Sequence, residues 1–118
     1  MARIIELGLC TLLALGGLAH LGGTLVGYEP GTEVFVWSLS AAAFVFTVVF
    51  LHALRIAHPT DGWIAAGAIT ATIAWIVLAF AFGAATGDIL DPRALIHVVI
   101  ALLLLVMAVR GWTGRQQD

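Results

Sequence analysis

Four side chains able to do acid–base or ligand chemistry stand inside long apolar runs: Glu6 and His20 in the first, His52 in the second and His97 in the last, with Arg55 three residues past His52. An ionisable group in hydrocarbon is costly unless it meets a partner or water, so each position calls for one. His20 precedes Gly27 by seven residues and His97 follows Asp91 by six, which at the helical rise puts both about 10 Å inside the same boundary. Two imidazoles at one depth suit the axial ligation of a haem b iron. Gly16, His20, Gly23 and Gly27 recur at steps of four, three and four, so they share one helical face on which a flat macrocycle would meet bare backbone. Gly16 and Gly23 therefore join His20 and His97 as the candidate cofactor-binding set, with the two histidines as metal ligands only in the sense of binding haem iron. His97 has a small-residue stripe of its own in Ala94, Ala101 and Ala108. A structural zinc site would need further cysteine, histidine or carboxylate ligands at that depth.

A second polar layer is expected near the opposite boundary. His52 lies five residues before Ala57 and shares a face with Ser38, Ala41, Val45, Val48 and Arg55, and Glu6 falls close to the same boundary. A contact from Glu6 to Arg55 or His52 would satisfy these interior polar groups; the alternative is that long charged side chains near helix ends reach back to the interface. Other chemistries find no residues. There is no serine with a histidine and carboxylate at common depth, no phosphate-binding glycine loop, no HExxH and no paired carboxylates, which excludes the familiar hydrolase and kinase arrangements. The central glutamate of small multidrug transporters, the Thr-Thr-Phe-Ser segment of fluoride channels and the cysteine pairs of quinone-linked thiol oxidases are all missing.

The elements that must position these groups can be read from composition. Of 118 residues, 62% are hydrophobic and 10% charged, whereas a soluble domain carries roughly a quarter charged residues. Apolar runs at about 4–27, 34–57, 63–85 and 93–112 are each at least as long as the roughly 20 residues a transmembrane helix needs. Between them lie short breakers. Pro30-Gly31 suits a type II turn with Thr32 capping the second helix, His58-Pro59 ends the second run with Thr60 or Asp61 as the next cap, and Asp91-Pro92 reads as an N-cap followed by proline at the first helical position. Short loops between consecutive spans predict an all-α, polytopic membrane protein, a single up-down-up-down bundle of four transmembrane helices. The first span is expected to be retained rather than cleaved, since Glu6 sits early in it and three more spans come after it.

Arginine sets the orientation. Arg3, Arg55, Arg110 and Arg115 lie towards one side and Arg93 alone towards the other, beside Glu29, Glu33, Asp88 and Asp91, so both termini are expected in the cytoplasm. Compactness and the lack of eukaryotic targeting signals point to a bacterial-type inner membrane. No arginine clusters with aromatics as a nucleic-acid surface requires, and the single Cys10 leaves no intrachain disulfide. The functional expectation is a non-catalytic subunit or ligand-binding module of a membrane complex, with lipid, other membrane subunits or a second copy as partners. Two alternatives stay open: a haem b electron-transfer subunit with His20 and His97 as axial ligands, and a small transporter with a polar path through Glu6, His20, His52 and His97.

Overall fold

The computed structural model describes residues 1–85 and 87–114, and Arg115 lies outside them. The described residues form α1 (Ala2–Gly27), α2 (Glu33–Ala57), α3 (Gly62–Ala85) and α4 (Pro92–Thr113). All four are long and apolar enough to cross a membrane. The molecule measures 52 Å along its long axis and 24 by 23 Å across.

Each helix stops for a local reason. In the first connection Thr32 N–H donates to Glu29 O (3.2 Å) across Pro30-Gly31, with Gly31 at φ 85°, the left-handed geometry that the third residue of a type II turn demands. Thr32 Oγ1 then accepts from Phe35 N–H at 3.3 Å and caps α2. Asp61, rather than Thr60, caps α3, its Oδ1 accepting from Trp63 N–H (2.8 Å) and Ile64 N–H (3.0 Å). At the far end of α3 the N–H groups of Gly87 and Asp88 donate to Ala84 O (3.2 Å) and Gly83 O (3.0 Å), a Schellman closure that needs the φ of 79° found at Gly87.

Asp91 caps α4 by accepting from Arg93 N–H at 2.8 Å, and its carboxylate also takes hydrogen bonds from the Arg93 guanidinium at 2.6–3.2 Å. The side-chain bond from Arg93, reinforced by the backbone bond, pulls the Asp91 carboxyl down to about 2. A depressed carboxylate stabilises the fold fully above its unfolded value, 3.8 here, and loses that contribution as pH falls through its folded value. The start of α4 should therefore be insensitive to pH above about 4 and loosen as pH falls from about 4 towards 2. Amide exchange at the α4 N-terminus would show this, and Asp91→Asn, which keeps the cap acceptor without the charge, should flatten the response.

Packing is most extensive between α1 and α2 and between α3 and α4, with α2–α3 and α1–α4 closing the ring. The centre is an apolar layer of Leu13, Val45, Val48 and Leu104, all fully buried, with Cys10, Ile56, Trp75 and Ala101 around it. The α4 stripe Ala94, Ala101 and Ala108 is buried, so backbones come close there without steric conflict. On α3 the buried line is Ala65, Ala68, Thr72, Trp75, Ala79 and Gly83. Hydroxyls on the outer surface look after themselves: Thr11, Ser40 and Thr47 each donate to the carbonyl four residues back, at 2.8–3.1 Å.

The inward face of α1 differs from the expected one. Its buried residues are Glu6, Cys10, Leu13, Gly17 and Thr24. Gly16 and His20 lie at the edge of this face, whereas Gly23 and Gly27 are exposed, and a Cβ added at either would meet nothing within 4 Å. The physical reason is that glycine has no side chain to bury, and the rotation of the helix is decided by Glu6, Leu13 and Thr24, which do. Gly17 is the position where close approach is real: a Cβ there would stand 2.9 Å from Val45 Cγ1 and 3.4 Å from the Phe46 ring. Gly17→Leu should thus lower the stability of the purified protein by about 1–3 kcal/mol through overpacking. Gly23→Leu should leave the thermal midpoint of the isolated protein nearly unchanged.

Candidate functional site

The polar layer around Glu6 is built from three helices. Glu6 is carried by the second turn of α1, His52 and Arg55 by the end of α2, and Thr72 by the middle of α3. Arg55 Nη2 donates to Glu6 Oε1, and His52 Nδ1 lies 3.2 Å from the same oxygen. On the other side of the ring, His52 Nε2 lies 2.8 Å from Thr72 Oγ1, and the Thr72 hydroxyl donates to Ala68 O at 2.6 Å. Glu6 and Arg55 are each 6% exposed, His52 and Thr72 not at all. A carboxylate, a guanidinium and an imidazole are thus held away from solvent, with most of their bonding made to each other. The expected Glu6 contact is present with both candidates at once. Arg55 Nε is buried without a hydrogen-bond partner among the described residues.

Thr72 is the member that sequence reasoning did not find. Threonine in an apolar helix normally bonds its own i−4 carbonyl, as Thr72 also does, so its type alone does not announce a cross-helix role. The available signal was its spacing, on the same line as Ala65, Ala68 and Trp75.

Towards the other end of the bundle His20 and His97 are placed on neighbouring turns but have separate partners. His20 Nε2 is 3.1 Å from Ser38 O and 3.2 Å from Ser38 Oγ. The carbonyl can only accept, whereas the Ser38 hydroxyl can either donate to Nε2 or accept from it. Thr24 Oγ1 donates to His20 O (2.9 Å) and lies 2.6 Å from Ser38 Oγ, closing a small network between α1 and α2 that includes Thr24, which the sequence did not single out, and Ser38, which was expected only on the face of His52. His97 instead rests on α1 at Gly16, where an added Cβ would be 2.9 Å from its Cε1 and Nε2. Its ring also meets Trp75 edge-on, with centroids 5.4 Å apart and planes at 68°. His97 Nδ1 and Trp75 Nε1 are buried without hydrogen-bond partners among the described residues.

This geometry does not fit a haem between the two histidines. His20 Nε2 is already engaged with Ser38 O and Oγ on α2. His97 is seated against Gly16, so the glycine expected to receive a porphyrin receives the imidazole itself. Gly23 is exposed, and a Cβ there would meet neither ring within 4 Å. The open cavity at the α1–α2 seam, about 170 Å³ and lined by Leu21, Leu39, Ala42, Ala43 and Phe46, contains neither histidine.

Nor do Glu6, His52, His20 and His97 join into one polar line in this arrangement. Leu13 intervenes on α1, Val45 and Val48 on α2, and Trp75 stands between Thr72 and His97 on α3. Cys10, one turn beyond Glu6 on the buried face of α1, is a free thiol. Among the described residues no three histidine, cysteine or carboxylate side chains gather in a way that would hold a metal ion.

What the arrangement can do chemically is tie helices together and hold a proton. No protein-family model matches the chain, no curated protein matches it and no solved structure matches it.

Proposed function

We propose that this chain is a multi-pass protein of a bacterial-type inner membrane, an up-down-up-down bundle with both termini in the cytoplasm, acting as a non-catalytic subunit that packs against another membrane helix. Support for the topology comes from the pairing along α1 and α2, where Glu6 meets His52 and Arg55 while His20 and Thr24 meet Ser38. The pairs Gly67 with Leu51, Phe44 with Trp75 and Phe82 with Arg93 run in the same opposed sense on the later helices. Orientation rests on the arginine asymmetry. Trp37 and Trp63, exposed near opposite ends of the bundle, suit interfacial anchoring.

The observation that carries the subunit role is the outward face of α1. Ala19, Gly23 and Gly27 stand four residues apart on it, all exposed, on a helix whose larger exposed side chains are mostly leucine, isoleucine and valine. In lipid a small-xxx-small line gains nothing by itself, but it lets a second backbone approach closely enough for dispersion and Cα–H contacts to hold two helices together. The polar groups, by contrast, are used within the bundle as struts, which fits a packing role better than turnover.

Two measurements test this. In intact cells, Glu29→Cys should react with a membrane-impermeant thiol reagent and Ala2→Cys should not; the reverse pattern would reject the orientation. In native membranes solubilised in mild detergent, the wild type should migrate as an assembly larger than one chain, and Gly23→Leu should shift it to the single chain while leaving its melting behaviour intact. Ala19→Cys cross-linking to itself would identify the neighbour as a second copy. An unchanged assembly in Gly23→Leu, or a wild type that is a single chain in the membrane, would defeat the reading.

A further inference from the structure

The polar layer around Glu6 has more acceptors facing one another than a simple ion pair allows, and counting its hydrogens leads to a site. The Thr72 hydroxyl has one hydrogen. Its oxygen lies 2.6 Å from Ala68 O, an atom that can only accept, so the hydrogen belongs on that line. The 2.8 Å contact between Thr72 Oγ1 and His52 Nε2 then requires an N–H on the histidine. With Nε2 protonated, a neutral His52 would turn the bare lone pair of Nδ1 towards Glu6 Oε1 at 3.2 Å, two acceptors facing each other where both residues are buried. A second hydrogen between these atoms removes the conflict.

We propose that Glu6, His52 and Thr72 form a proton-binding site between α1, α2 and α3, in which one proton is held between Glu6 Oε1 and His52 Nδ1. The proton resides either on the imidazole, giving an imidazolium beside a carboxylate, or on the carboxyl, giving a neutral acid that donates to Nδ1. Both forms contain the same number of protons, and with Arg55 both carry a formal charge of plus one. Arg55 Nη2 donates to Glu6 Oε1 in either case.

The surroundings contain little else that titrates. On α1 the neighbour is the Cys10 thiol, on α2 it is Arg55, α3 contains no ionisable side chain, and the α4 residues packed at this end are Leu104 and Ala108, with Arg110 exposed. The held proton joins α1 to the His52 ring, whose Nε2–H joins α2 to α3, so an empty site loses the shared proton between α1 and that ring.

The test reads the site directly in the intact wild-type protein. Nitrogen NMR of protein labelled with ¹⁵N-histidine, in detergent at about pH 7, is assigned by removing the other three histidines one at a time. Infrared spectra are compared with those of Glu6→Gln. The expected result is either a His52 ring protonated on both nitrogens, or an Nε2–H ring together with a protonated carboxyl band that disappears in Glu6→Gln. In Glu6→Gln the amide donates to Nδ1 in place of the shared proton, so His52 should become a neutral Nε2–H ring. A wild-type His52 carrying a single proton on either nitrogen beside an ionised Glu6 would overturn the proposal. So would a Glu6→Gln ring protonated on Nδ1 alone, because the Thr72 hydrogen would then point at His52 and not at Ala68.

Discussion

Replacing Glu6 by leucine is expected to cost the isolated protein about 3 kcal/mol, the lower end of the range for breaking a buried ion pair. The substitution leaves Arg55, only 6% exposed, with its Nη2 partner gone and its Nε already without one, and it removes the group that faces His52 Nδ1. The lower end applies because Glu6 is in the second turn of α1 and Arg55 in the last turn of α2, where water can reach an uncompensated charge more readily than at mid-helix. A double change of Glu6 and Arg55 to leucine removes both charges and should recover most of the loss. Denaturation in mixed detergent, monitored by helical circular dichroism, would measure the four corners of this cycle. Additive losses from the two single changes would show that the pair does not carry the contact.

Leu13→Ala is the second large effect, expected at about 2 kcal/mol. Leu13 is fully buried in the layer between the two polar networks, against Val45, Val48 and Leu104. In a water-soluble core such a truncation loses both the transfer energy of the side chain and the contacts around the cavity. Between helices in detergent or lipid the separated state is apolar too, so mainly the cavity and dispersion part remains, which places the value near the bottom of the range of about 2–5 kcal/mol. Leu12, one residue earlier, is 53% exposed, and Leu12→Ala in the same assay should change little. Equal losses at the two positions would mean that α1 is rotated away from this orientation.

The two effects share a cause. The bundle has a polar layer at each end and a dry layer between them, so damage at either kind of layer is local and specific. Glu6 and Leu13 are seven residues apart on one face of α1, and Thr24 continues that face beyond them. Each reaches a different partner on α2: Glu6 meets His52 and Arg55, Leu13 packs with Val45 and Val48, and Thr24 bonds Ser38. Side-chain demand, summed along the helix, sets its rotation.

The sequence by itself determined the four helical segments, because uninterrupted apolar runs bounded by Pro-Gly, His-Pro and Asp-Pro leave the backbone few alternatives to an intra-segment hydrogen-bonded helix. It also determined the local stops, since Thr32 and Asp91 cap the residues immediately after them, and it narrowed the partners of Glu6 to His52 and Arg55, because interior charge at one depth has few places to go. Only the tertiary structure decided which glycines lie inside. Glycine has no side chain whose burial could be foreseen, so Gly17, packed on Val45, and Gly23, open to the surroundings, look alike in sequence. The same holds for Thr72 and Ser38, whose hydroxyl groups can be satisfied within their own helices and therefore give no sign of the histidines they meet. His20 and His97 were expected at one depth, whereas His97 meets α1 at Gly16, one turn from His20, and each ring has its own neighbour: Ser38 on α2 for one, and the bare backbone of Gly16 for the other.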